Sequence, residues 1–455
     1  MRAIAFPLAA TLCLSGSLCA EETLPPDLGT RDQGIDWADF LGPQRNGKSP
    51  ETGLIAKWSP PPRIVWQCEI GASYGAPAIS RGRLLHYDRH GDLARLTCRN
   101  SESGTELWTY EHATDYTDML GYNNGPRCTP VVDGNRVYLF SAEGEMHCVS
   151  LSDGERQWQV DTTKQFGVVK NFFGVGSTPI VAGELLIANI GGSPPGQPDD
   201  VYAAQGQVES NGSGVVAFDK FTGEFRWQTA NELASYSSPV TATIDGQLWC
   251  FVFARGGLVG LDPNLGQIRF QFPWRARKLE SVNASSPTVV GDRAFISESY
   301  ELGSALLQIQ REGYEVVWRD KPRSRDRSLE LHWNTAVHHQ GYLYGSSGQH
   351  PNNAQLRCIK FDTGEVQWSV PGWRRSSLLY VDQHFICLSE DGTLRLLRAT
   401  PNACEVVGEL TLRNNLGITL LKYPAWTAPV LSHGLLYVRG KDRLVCLEVI
   451  RRGQE

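Results

Sequence analysis

The side chains best able to do chemistry in this 455-residue chain gather in a handful of connections rather than in one motif. Arg127 follows Asn123 and Asn124, and Lys170 precedes Asn171 and Phe173. Trp274, Arg275 and Arg277 lead into Glu280 and Asn283. His332, Trp333 and Asn334 are consecutive, as are Trp373, Arg374 and Arg375, while Trp426, Glu298, Tyr300, His350 and Glu390 stand apart. An arginine presents a planar fork of donors that matches a carboxylate or phosphate, and a tryptophan presents a flat face for stacking. Lys and Arg outnumber acids in these stretches although the whole chain carries a formal net charge of −6. The set points to a site for a small anionic, partly aromatic ligand.

Other chemistries are excluded by what the sequence lacks. There is no Gly-x-Ser-x-Gly, no zinc-protease helix and no phosphate-binding glycine loop, which removes the common hydrolase and nucleotide readings. No Cys-x-x-Cys-His and no His/Cys cluster calls for haem or zinc, so no catalytic residue and no metal ligand is assigned. A mildly acidic chain offers nothing to the backbone of a nucleic acid. Of the eleven cysteines, Cys98, Cys148, Cys358 and Cys446 recur at one place in a repeated unit, which marks small core residues rather than disulfide partners. His338 and His339 fall on short turns and are expected in solvent.

The elements that must position these connections come from an internal repeat. A small residue followed by proline and an apolar run begins at Ala76-Pro77, Thr129-Pro130, Thr178-Pro179, Ser238-Pro239, Ser286-Pro287 and Ala428-Pro429. Thr335-Ala336 and Ser377-Leu378 are copies without the proline. Each start is followed by period-two alternation broken by Gly turns, the signature of short strands and hairpins. A closing aromatic follows at Trp108, Trp158, Trp227, Phe270, Trp318 and Trp368, with a weak copy near Val406-Val407. The period of roughly 50 residues is that of a four-stranded propeller blade. The last unit stops without an aromatic strand, and an orphan strand, Ile64-Val65-Trp66, precedes the first. The expected fold is therefore all-β: an eight-bladed β-propeller of four-stranded antiparallel blades, with an N-terminal strand closing the last blade. Strand order then places the long connections on one face, with Arg275, Arg277, His332, Trp333, Arg374 and Arg375 around the channel mouth.

The units ending Thr222-Gly223-Glu-Phe-Arg-Trp227 and Thr363-Gly364-Glu-Val-Gln-Trp368 resemble the tryptophan-docking motif of pyrroloquinoline quinone (PQQ)-type repeats. That family includes quinoprotein alcohol dehydrogenases and the scaffold of outer-membrane assembly factor B, and the likeness runs from about Trp37 to Val449. It implies the fold and leaves two functions open. A dehydrogenase would need PQQ with calcium, for which Glu298, Asn283 and Glu280 are the candidate oxygen ligands, and an adjacent Cys-Cys pair of the kind many such enzymes carry is absent. The favoured reading is a non-enzymatic binding or scaffold propeller with a protein partner or small anionic ligand and no resident cofactor. The alternative is a PQQ-dependent dehydrogenase acting on an alcohol or sugar.

Residues 1–20 read as a secretory signal peptide cleaved after Ala20, with lipidation at Cys19 as the alternative that Leu18 directly before it disfavours, so an exported, periplasmic or extracellular, monomeric protein is expected. Residues 21–60 form a lead segment expected to dock on the propeller of residues 61–450. The Pro- and Gly-rich stretch from Gly191 to Gly214 reads as an extended surface loop.

Overall fold

Each repeat folds as four short strands because its apolar positions alternate between turns that glycine closes. The computed structural model describes residues 23–201, 207–321 and 324–452. The proposed signal peptide lies outside them. The strands, β1 to β32 in chain order, form eight four-stranded antiparallel sheets. Blade 1 comprises β2 (Ala78–Ser80), β3 (Arg83–His90), β4 (Leu93–Asn100) and β5 (Glu106–Ala113). Blade 2 comprises β6 (Val131–Asp133), β7 (Arg136–Phe140), β8 (Glu145–Ser150) and β9 (Arg156–Asp161). The order repeats through blade 7, which ends in β29 (Val406–Thr411). Blade 8 takes β30 (Val430–Ser432), β31 (Leu435–Arg439) and β32 (Arg443–Glu448), and β1 (Arg63–Glu69) pairs with β32 as its outer strand. The closure is the one the orphan Trp66 strand requires.

The repeated Gly and Trp meet across blade boundaries. The indole of one blade lies over the glycine turn of the next and donates to a carbonyl there: Trp66 to Ser101, Trp108 to Leu151, Trp158 to Lys220 and Trp318 to Phe361, at 2.8 to 3.2 Å, and Trp368 donates likewise to Thr400 at 3.3 Å in a turn without glycine. Gly223 shows why the turn residue has no side chain. Its φ is +74°, and a Cβ would sit 2.8 Å from the Trp158 ring. Gly223→Ala is expected to lose about 1 to 3 kcal/mol, read as a lower urea midpoint, because it adds left-handed strain and displaces a docked indole. Blade 7 lacks the tryptophan. Gly408 takes its place opposite Leu396, and buried Trp58 of the lead segment packs against it and fills the space.

The small residue at each blade start does more than save room. Along the channel the backbone N–H of Ala76 donates to Thr129 Oγ1, Thr129 to Thr178, Thr178 to Ser238, Ser238 to Ser286 and Ser286 to Thr335, all at 3.0 to 3.2 Å. Buried N–H groups at the innermost strands are thus satisfied by the neighbouring blade's hydroxyl, which locks adjacent blades in register.

The lead segment crosses the short-turn face. Trp37, 1% exposed, bridges to Ile79, and the Glu51 carboxylate accepts from the N–H groups of His433 and Gly434 in the first turn of blade 8. Two expectations about this face and the core meet the structure differently. The four recurrent cysteines are buried and free, and burial pushes the Cys98, Cys148 and Cys358 thiols up to about 12. His339 is not in solvent: it is buried and stacks on Tyr380 with centroids 4.5 Å apart, while His338 packs edge-on against Phe361. The lead segment covers that turn by bridging Lys48 to Tyr380. In the Gly191–Gly214 stretch, Val201 is fully buried with Val169 and Leu233, so part of that loop is packed.

Candidate functional site

A cavity of about 220 Å³ opens at the centre of the long-loop face. Its wall is built by one repeated position, two residues before each blade start: Tyr74, Arg127, Gly176, Tyr236, Ala284, Trp333, Arg375 and Trp426. The chain enters the innermost strand at that point, so eight equivalent positions converge on the channel axis. Phe40 and Leu41 of the lead segment and the small blade-start residues line it more deeply, and Tyr122 and Phe173 extend it outward. Gly176 and Ala284 leave gaps in the ring. Two of the residues missed in the sequence, Tyr74 and Tyr236, carried a usable signal: an aromatic at the same offset as Trp333 and Trp426.

The ring's charges are neutralised within the protein. Arg375 donates to Glu390 Oε2 at 2.7 and 3.1 Å, and its guanidinium stacks 4.3 Å from the Trp333 ring and 5.2 Å from that of Trp426. Glu390 also accepts from Trp426 Nε1 at 2.9 Å, while Trp333 Nε1 donates to the Trp426 carbonyl at 3.0 Å. Arg127 pairs with Asp118, donates to the Asn123 carbonyl at 2.7 Å and lies against the rings of Tyr74 and Tyr116. Burial, reinforced by Arg375, pushes His332 down to about 3, which leaves its imidazole neutral. Tyr74 is pushed up to about 12 by burial and stays protonated. What the cavity presents is aromatic surface. The two ring arginines already have carboxylate partners, Asp118 and Glu390, which sequence position did not show.

Of the residues singled out by sequence, Arg127, Phe173, His332, Trp333, Asn334, Arg375 and Trp426 come together on this cavity. Asn334 braces its own loop, donating to the Ser346 carbonyl at 2.9 Å and accepting from its N–H at 3.1 Å. Asn283 is fully buried and acts one step back: its carbonyl accepts from the N–H groups of Tyr236 and Ser237, both at 3.0 Å, and its amide donates to Ala254. Trp274 is instead a core residue, stacked on Phe272 with centroids 5.5 Å apart. Lys170 lies 3.8 Å from Asp199 and Arg374 3.5 Å from Asp391, while Arg277 and Glu280 are exposed; none of these four lines the cavity. Arg275 is half-buried beside Glu298 rather than in the ring.

Glu298 is 1% exposed and accepts from Ser281 Oγ. Burial pushes its carboxyl up to about 7 despite the bonds from Ser281 and the Ala276 N–H and despite nearby Arg275. The folded protein therefore keeps a proton that the unfolded chain, titrating near 4.5, has released. Stability should fall as pH rises from 4.5 through 7 and level off above. Glu298→Gln is expected to remove that slope and to unfold at higher urea than the parent at pH 8, by at most about 3 kcal/mol. Parallel melts of the two proteins from pH 4.5 to 8 check this.

The fit of a quinone with calcium can be tested on these residues. Calcium takes oxygen ligands, carboxylates above all. No Asp or Glu lines the cavity among the described residues, and Glu390, which stands outside its lining, already serves Arg375 and Trp426 through Oε2. Within the suggested set, Glu298 and Asn283 are buried while Glu280 is exposed. The residues do not fit the pair, and no step is derived through it.

Residues 51–197 and 94–370 match the family described as outer membrane protein assembly factor BamB, in overlapping stretches as a repeated unit allows. No curated protein matches the sequence. Among solved structures, that of BamB from Moraxella catarrhalis superposes with a TM-score of 0.59 at 13% identity, covering 86% of this chain and 99% of that one. The quinohemoprotein alcohol dehydrogenase from Comamonas testosteroni reaches 0.48 at 12% identity over 92% of this chain and 81% of its own. At 13% identity the likeness to the BamB structure shows the fold alone.

Proposed function

From the premise that this chain belongs to the family of the outer membrane protein assembly factor BamB, we propose that it is an exported binding or scaffold propeller that captures extended polypeptide at the mouth of its channel. The observation that carries the reading is an aromatic cavity with its cations internally paired, set beside exposed apolar side chains. Met119, Leu120 and Tyr122 are 42%, 53% and 55% exposed in one bordering connection. Leu416, Ile418 and Tyr423 are 83%, 51% and 49% exposed in another. Tyr122 and Tyr423 both touch Trp426, with centroids 5.8 and 6.1 Å away, so the apolar rim runs into the ring. Apolar surface gathered around a cavity marks a place where another chain docks, with an aromatic or aliphatic anchor filling the pocket. Residues 1–20 serve as the export signal in this reading, and the N-terminus of the secreted protein should then be Glu21.

Extended peptides that differ only in a central Phe or Ala test the proposal. Fluorescence of Trp333 and Trp426 is expected to change saturably with the Phe peptide and to change little with the Ala peptide. Tyr122→Ala should weaken the Phe peptide about tenfold, a loss of about 1.4 kcal/mol. Equal response to both peptides, or full affinity in Tyr122→Ala, would sink the reading. Thermal unfolding with PQQ and calcium is the opposing arm: a ligand at a hundred times its dissociation constant stabilises by about 2.7 kcal/mol. A shift of that kind would favour the dehydrogenase.

A further inference from the structure

A second group of chemistry-bearing side chains lies away from the ring, at the seam between blades 1 and 2. His112 stands near the end of β5, and Glu145 and His147 open β8. The two imidazoles stack with centroids 4.2 Å apart. Glu145 Oε2 is 3.4 Å from His147 Nε2 and 4.0 Å from His112 Nδ1, and one ligand atom from each residue falls within 4.8 Å of the others. His147 is fully buried, and its Nε2 faces Glu145 Oε2 at 3.4 Å. A buried ring nitrogen needs a partner, and Glu145 can satisfy it through a shared proton or through a cation held between the two.

The nitrogens turned away from Glu145 are both held by phenols. Tyr110 Oη lies 3.0 Å from His147 Nδ1, and Tyr87 Oη lies 2.6 Å from His112 Nε2. A metal-binding histidine characteristically donates its other N–H to such a partner, which fixes the ring and the tautomer.

We propose that His112, Glu145 and His147 bind a divalent transition cation of the zinc class, through His112 Nδ1, His147 Nε2 and a Glu145 carboxylate oxygen. Two imidazoles and one carboxylate suit zinc, and three protein ligands leave a position for water. His112 Nδ1 lies 3.1 Å from the Ala113 carbonyl, a contact the metal bond would replace. The tautomer can change without loss because a phenol either donates or accepts. Glu145, with a side chain 31% exposed, gives the ion a way in from solvent. The ligands come from two blades, so the ion would clamp the seam at the root of the connection that carries Met119, Leu120 and Tyr122. Sequence spacing hid the group because its members sit on separate strands.

The test uses the full chain, stripped of metal by chelation. Calorimetric titration with Zn²⁺ is expected to show one equivalent bound, Co²⁺ to give the visible absorption of a low-coordinate site, and Zn²⁺ to raise the unfolding temperature. Glu145→Gln, at a partly exposed position, should keep the fold and weaken zinc at least tenfold, and Tyr110→Phe about tenfold through loss of the ring's brace. His112→Ala and His147→Ala should abolish the cobalt spectrum. His90→Ala, outside the cluster, should change nothing. Stoichiometric zinc absent from the parent protein, or retained unchanged in Glu145→Gln and His112→Ala, would overturn the proposal and leave a Glu145–His147 ion pair. If His147→Ala does not fold, the other two variants decide.

Discussion

Arg45→Met should unfold at a much lower urea concentration than the parent protein, a loss of about 3 to 5 kcal/mol. Arg45 is 4% exposed and enters the channel from the short-turn face. Its guanidinium donates to the carbonyls of Thr178, Pro179 and Pro239, the last at 2.9 Å, and so ties the starts of blades 3 and 4 to the lead segment. It also grips Asp39 with Nε to Oδ2 at 2.7 Å and Nη2 to Oδ1 at 2.5 Å. Methionine matches the stem but leaves a carboxylate and three carbonyls without their donor. The cost comes from those stranded groups rather than from the ion pair itself, so Asp39→Asn combined with Arg45→Met should recover part of the loss. A double variant as unstable as the single one would show that the carbonyl contacts alone matter. A single variant within 1 kcal/mol of the parent would remove Arg45 as the pin of the lead segment.

The second large effect is expected at Arg375, and it reaches function. Arg375→Ala leaves Glu390, whose side chain is fully buried, without its cation. Breaking such a pair from one side costs about 3 to 5 kcal/mol. The guanidinium is also the plate against which Trp333 and Trp426 rest, so both indoles should lose their fixed orientation. Near-UV circular dichroism should weaken along with the urea midpoint, and peptide capture should fall with it. Arg375→Lys is a useful contrast. It restores the charge but offers no planar face for two indoles and no paired donors for Glu390. It should recover part of the stability and little of the dichroism. Full recovery of both would mean that charge, not shape, holds the ring.

The repeat was legible because its signals are local. Gly turns, period-two alternation and a tryptophan at the end of each unit define blades without reference to anything distant, and the orphan Trp66 strand told how the ring closes. That the long connections share a face was legible for the same reason, since strand order alone assigns each connection to one side. The composition of the site was read less well. Arg127 and Arg375 looked like ligand cations, yet Asp118 and Glu390 had already taken them. Trp274 looked available and is core. Tyr74 and Tyr236 sat unnoticed at the position that Trp333 and Trp426 share, because that equivalence becomes visible only when the blades are superposed.

What the sequence determined by itself was the unit, its number and the order of its strands, because turn chemistry and alternation act over a few residues. Only the tertiary structure decided which side chains remain free to bind. Whether a charge is spare, whether Arg45 and Phe40 reach the channel, and whether His112 meets His147 depend on contacts between segments that the chain separates and the ring brings together.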